Sequence, residues 1–183
     1  MKAWAVWLTG LPGSGKTVTA KELIKGLEKR KIKLEYLRMD EIRKVLTPNP
    51  KYTEEEREQA YRSLIIIAKF LTENGINVII DATAHRRIWR ELAREMIPKF
   101  YEVYIKCPIE VCIKREAERK DRLIVNKLYE KAMERKAEGT KKNGVGEVVG
   151  VDVPYEEPEK PELVIDSQLL DPKKSALEIL KLL

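Results

Sequence analysis

The sequence predicts an α/β fold in three α/β/α layers, with a five-stranded parallel sheet and a helical and looped lid near residues 115–150. Three observations predict it. Five short apolar runs alternate with longer amphipathic segments. The alternation predicts a parallel sheet covered on both faces, and INVIID is a continuous apolar run of that kind. No repeat, low-complexity stretch or linker divides the 183 residues, so one domain is expected over 1–183.

Residues 4–9, WAVWLT, read as the first buried strand, and 15–30 as a helix. LEYLRMD, 34–40, is a second strand ending in an acid. DEIRKVL is a short helix that stops before Pro48 and Pro50, which cannot continue it. The long helix 53–75 opens on a Thr53/Glu56 capping box and stops at Gly75. INVIID, 76–81, is a third strand ending in Asp81. RRIWRELAREMI is helical and ends before Pro98. FYEVYIKC, 100–107, is the fourth strand, and 108–139 is expected to be helical for much of its length. A loop with repeated Gly and Pro leads to ELVIDS, the last strand, and DPKKSALEILKLL closes as an amphipathic helix.

Charged residues are 36% and hydrophobic residues 43%, which fits a soluble globular protein. No apolar run approaches the roughly 20 residues that a membrane span needs. The opening MKAWAVWLTGLPG reads as a buried strand and not a signal peptide, because no small-residue cleavage site follows. Cys107 and Cys112 read as reduced, packed thiols of a cytoplasmic protein. The single histidine, His85, excludes a histidine-built metal site. Net charge is +6, but acids and bases are interspersed, as in KYTEEEREQAYR. That pattern favours solvated helix faces over a nucleic-acid stripe, so nucleic acid is not an expected partner.

GLPGSGKT, 10–17, fits G-x-x-x-x-G-K-[ST]. Glycines permit the tight path that turns backbone N–H groups onto phosphate oxygens. The following helix adds its N-terminal partial charge. The backbone of Gly10, Leu11, Pro12, Gly13, Ser14, Gly15, Lys16, Thr17 and Val18 is therefore expected to cradle ATP. Lys16 neutralises the β and γ phosphates, and the Thr17 hydroxyl ligates Mg²⁺. A GTPase switch is the obvious rival, but its N-K-x-D stretch is missing, because NKLY carries Tyr129 where the acid belongs.

A small-molecule kinase needs an acid near the transferring oxygen, an acceptor site and a lid. Asp40 and Asp81 both end strands on the loop's side, where either can hold Mg²⁺ or deprotonate the accepting hydroxyl. Arg43, Arg57, Arg62, Arg86 and Arg87 cluster at the acceptor end and suit an anionic acceptor. Arg115, Arg119 and Arg122 follow the fourth strand, and Arg115 is the best candidate for a lid arginine at ATP.

GLPGSGKT, D-x-x-R at Asp40 to Arg43, YTEEERE at 52–58, FYEVYIKCPIEVCIKRE at 100–116, LYEKA at 128–132 and GVDVPYEEPEKPELVIDS at 150–167 together resemble the adenylylsulfate kinase (APS kinase) family. The likeness runs nearly end to end. It implies a phosphate-loop kinase-like fold, usually dimeric, that moves the γ-phosphate of MgATP to the 3′-hydroxyl of adenosine 5′-phosphosulfate (APS), giving PAPS. It further implies that Asp40 is the acid beside Mg²⁺ and the accepting hydroxyl, with Thr17 as the other metal-side residue. Arg43 and Arg57 hold the phosphosulfate, Tyr52 stacks on the acceptor's adenine, and Arg115 is the lid arginine. Thr83, Arg87 and Val148 complete the acceptor side, with Val148 at the position of the second stacking aromatic.

The chain departs from the family pattern at several positions. Arg38 stands for the first Asp of DGDNVR, Ala60 for Asn, Ala84 for the phosphorylatable Ser and His85 for Pro, and the lid carries an insertion near AERKDRLIVN. Asp81 is an extra strand-end acid, as in kinases acting on other hydroxyls. The readings are therefore an APS kinase, or the same scaffold acting on a nucleoside, polyol or RNA-linked hydroxyl. Lys16, Thr17 and Asp40 argue against a third, a non-catalytic nucleotide-binding module.

Overall fold

The computed structural model describes residues 2–50, 53–118, 128–138 and 146–183. In chain order the elements are β1 (Ala5–Thr9), α1 (Lys16–Lys29), β2 (Leu34–Arg38), α2 (Met39–Leu46), α3 (Glu54–Glu73) and β3 (Asn77–Asp81). They continue with α4 (Arg87–Met96), β4 (Phe100–Lys106), α5 (Ile109–Ala117), α6 (Leu128–Glu138), β5 (Leu163–Asp166) and α7 (Pro172–Leu182). The strands form one parallel sheet in the order β2-β3-β1-β4-β5.

Successive side chains of a strand point to opposite faces, and β1 is buried at every position. Ala5 and Trp7 join Leu64, Ile65 and Ala68 of α3 and Trp89 and Ala93 of α4 in one core. Val6 and Leu8 join Leu23 and Leu27 of α1 and Ile179 of α7 in the other. That split makes the three layers. A third cluster gathers Cys107, Cys112, Tyr129, Ala132 and Val148 under the lid.

The α3 termini agree with the sequence reading. The Thr53 hydroxyl accepts the Glu56 N–H at 3.3 Å, and Gly75 takes a left-handed φ of 78° just past the helix end. One boundary is corrected, while 108–139 is helical for much of its length as expected, in two helices among the described residues. The Glu116 carboxylate accepts the Leu128 N–H at 3.0 Å, whereas continuous helix would hold those residues about 18 Å apart. Asp40 is not a strand-end residue, because β2 stops at Arg38 and Asp40 lies in the first turn of α2. Asp40 and Glu41 suit the positive end of that helix.

The segment from Val153 to Glu162 crosses the sheet end as a strap. The Tyr155 hydroxyl lies 2.8 Å from Thr9 Oγ1, and Thr9 donates to Thr83 O at 2.6 Å. The Tyr155 ring stacks on Tyr104 at 5.7 Å and carries the Arg90 guanidinium on it at 5.5 Å. Arg90 is 1% exposed. It donates to Glu102 at 2.6 Å, to Glu156 O at 2.6 Å and to Ala84 O. Removing one partner of a buried ion pair strands the other charge. Arg90→Ala is therefore expected to destabilise the fold by about 3–5 kcal/mol. A lowered urea midpoint at unchanged slope checks this, and a loss below about 1 kcal/mol refutes the buried-pair account.

Candidate active site

The loop between β1 and α1 has the path that phosphate binding requires. At Gly10 a Cβ would meet Ile105 O at 2.4 Å, and at Gly13 it would meet Cys112 O at 2.4 Å. Both positions also have positive φ, 144° and 82°, so glycine is required twice over. Lys16 Nζ folds back onto the carbonyls of Gly10 and Leu11, each at 2.9 Å. The first turn of α1 holds no acid, which leaves its positive end open to an anion.

Thr17 opens α1 beside β3. Its hydroxyl donates to Asp81 Oδ2 at 2.6 Å, and the Tyr36 hydroxyl donates to the same oxygen at 2.8 Å. Asp81 reaches Thr17 because β3 pairs directly with β1, with Leu8 opposite Asp81. Asp40 follows β2, one strand further out. A hydroxyl and a carboxylate are hard oxygen donors, and Mg²⁺ at phosphoryl-transfer sites takes one or two such groups and fills its shell from phosphates and water. Thr17 and Asp81 fit that ion.

Asp40 belongs to a second group on the α3 side. Burial raises the Tyr61 phenol, the cations of Arg43 and Arg57 oppose the rise, and Asp40 adds to it. Tyr61 accepts the Ala84 N–H at 2.9 Å. Arg43 and Arg57 are each 6% exposed, and Arg57 donates to Glu147 O. His85 lies edge-on to Trp89 and is buried. Burial, and then Arg57, lowers its pKa to about 4, so the ring is neutral near pH 7.

The remaining sequence-expected residues separate. Arg62 and Arg86 make surface pairs with Glu58 and Glu54, of the kind that contributes little. Arg87 turns to the strap, where its guanidinium pairs with Glu159. Arg115 sits at the phosphate loop and the end of β5, donating to Ser167 Oγ at 3.0 Å and Ser167 O at 2.8 Å. Thr83 offers its carbonyl to Thr9. Val148 is packed in the lid cluster, so an aliphatic core side chain fills the position given to a stacking aromatic. Tyr52, Arg119, Arg122 and much of the lid insertion lie outside the described residues.

Sequence reasoning missed Tyr36, Thr9, Tyr155 and Arg90. It also missed Tyr129, whose hydroxyl donates to Pro12 O at 2.9 Å. A polar-tipped ring two residues before the end of the strand was the signal for Tyr36.

A parallel sheet with a glycine loop, an anion-ready helix and a Thr–Asp pair at the carboxyl ends of its strands defines a phosphate-loop kinase. The family model of adenylylsulphate kinase matches residues 2–166. A probable adenylyl-sulfate kinase of Archaeoglobus fulgidus is 38% identical, over 92% of this chain and 99% of that protein. One of Pyrococcus abyssi is 39% identical, over 96% and 92%. Among solved structures, the Mycobacterium tuberculosis APS kinase in complex with AMPPNP and APS superposes with a TM-score of 0.79 at 26% identity, covering 99% of this chain and 97% of that one. The chain belongs to the adenylylsulphate kinase family, and is a phosphotransferase of that family.

Proposed function

We propose that this chain transfers the γ-phosphoryl group of ATP to the 3′-hydroxyl of adenosine 5′-phosphosulfate, giving PAPS and ADP. The observation that carries the reading is the 2.6 Å Thr17–Asp81 contact at the mouth of the glycine loop, with Lys16 beside it. The backbone from Gly10 to Val18 binds the phosphates. Lys16 leaves its carbonyl partners for the β and γ oxygens. Thr17 and Asp81 would hold Mg²⁺, which would supply neutralisation of charge on the transferring group.

Asp40 orients the acceptor hydroxyl and takes its proton as the new oxygen–phosphorus bond forms and the bond to the ADP oxygen breaks. Arg43 and Arg57 hold the phosphosulfate, and Arg115 closes over ATP. Tyr52 stacks on the acceptor's adenine, while Thr83, Arg87 and Val148 frame that side.

The same reading makes the protein a cytoplasmic homodimer. Buried free thiols at Cys107 and Cys112 suit a reducing compartment. Ile66 and Phe70, exposed on α3, are apolar surface that a second copy can cover. An acceptor screen tests the central step. ADP release and labelled product are followed with APS, nucleosides, polyols and RNA. PAPS formed from APS, with no other acceptor turned over comparably, is the expected result. Absence of both PAPS and APS binding overturns it.

A further inference from the structure

We propose that Arg38 binds the γ-phosphoryl group of ATP through the Nε/Nη2 edge of its guanidinium. Arg38 is the last residue of β2 and stands opposite Asp81 in the register with β3. Residues two apart on a strand share a face, so it lies on the side of Tyr36, whose hydroxyl is 2.8 Å from Asp81 Oδ2. Tyr36 packs against the α1-side core, whereas Tyr61, beside Arg43 and Arg57, belongs to the α3-side core.

The side chain is only 11% exposed. Its Nη1 donates to Glu41 at 2.7 Å. Its Nε and Nη2 are buried and have no hydrogen-bond partner among the described residues. Those two nitrogens form the edge that grips an oxyanion with two parallel bonds. An unmet buried donor is costly, and more so on a charged group. Glu41 fixes the far end of the fork and leaves the bidentate edge free for a ligand. Next to the residues fitted to Mg²⁺ and the phosphate loop, the matching anion is the terminal phosphate of the donor.

The inference rests on the ATP reading above, and its test separates the two. ATP and ADP are titrated calorimetrically with Mg²⁺ and no acceptor, against wild type, Arg38→Met and Arg38→Lys. Arg38→Met is expected to weaken ATP by about 10-fold or more and to change ADP by less than about 2-fold. Lysine, a point charge without the fork, gives a smaller loss in the same direction, and carries the test if the methionine variant does not fold. Equal losses for ATP and ADP, or none for either, overturn the assignment. A separate APS titration of the same variants is run alongside, and unchanged ATP affinity with weakened APS binding overturns the assignment by moving the contact to the acceptor. Wild type that binds neither nucleotide refutes the ATP reading itself.

Discussion

Lys16→Ala is expected to lower kcat more than about 100-fold, because the ammonium is aimed at charge that develops in the transition state. Lys16 is 8% exposed, and its Nζ is held 2.9 Å from the Gly10 and Leu11 carbonyls. It is therefore preplaced within the loop, where phosphate oxygens can take the place of the two carbonyl oxygens. The fold should survive the change, since Lys16 belongs to none of the core clusters. Steady-state kinetics with a parallel melting curve check both halves. A kcat within about 3-fold of wild type refutes the phosphate-loop assignment.

The second large effect divides the two acids. Asp40→Ala should reduce transfer by about 100- to 10,000-fold, as for a lost general base, while ATP affinity stays within about 2-fold. Asp81→Ala should lower kcat and also raise the Mg²⁺ concentration needed for half-maximal rate, because Thr17 and Tyr36 lose their shared carboxylate oxygen. The measurement is a Mg²⁺ titration of rate for each variant, with ATP binding measured separately. If Asp40→Ala turns over normally and Asp81→Ala alone is dead, the base is Asp81 and the mechanism above is wrong at that step.

Local chemistry made much of this legible. GLPGSGKT announces itself because spacing, glycine content and the strand-to-helix context all agree. The central strands were readable because buried parallel strands are continuous apolar runs, as in β1 and β3, and Thr53 and Gly75 marked the ends of α3. Strand order was not legible. Asp40 and Asp81 look alike in one dimension, and only the β2-β3-β1 order puts Asp81 next to the loop and Asp40 one strand away. That α5 and α6 pack on each other was not legible, because both carry helical composition and the Glu116–Leu128 contact joins residues far apart in sequence. Thr9 and Tyr155 are 146 positions apart, beyond the reach of periodicity or capping.

That last contact has a consequence for synthesis. Chains emerge from the ribosome N-terminus first, and N-terminal parts fold first where they can. Here the phosphate loop is made well before the segments that become its neighbours in space. Tyr155 meets Thr9, Ser167 meets Arg115, and α7 packs on α1. Contacts of such long sequence separation form slowly and late. The glycine loop therefore waits for the strap, β5 and α7 before its site is finished, and nucleotide binding should begin only after α7 has been made.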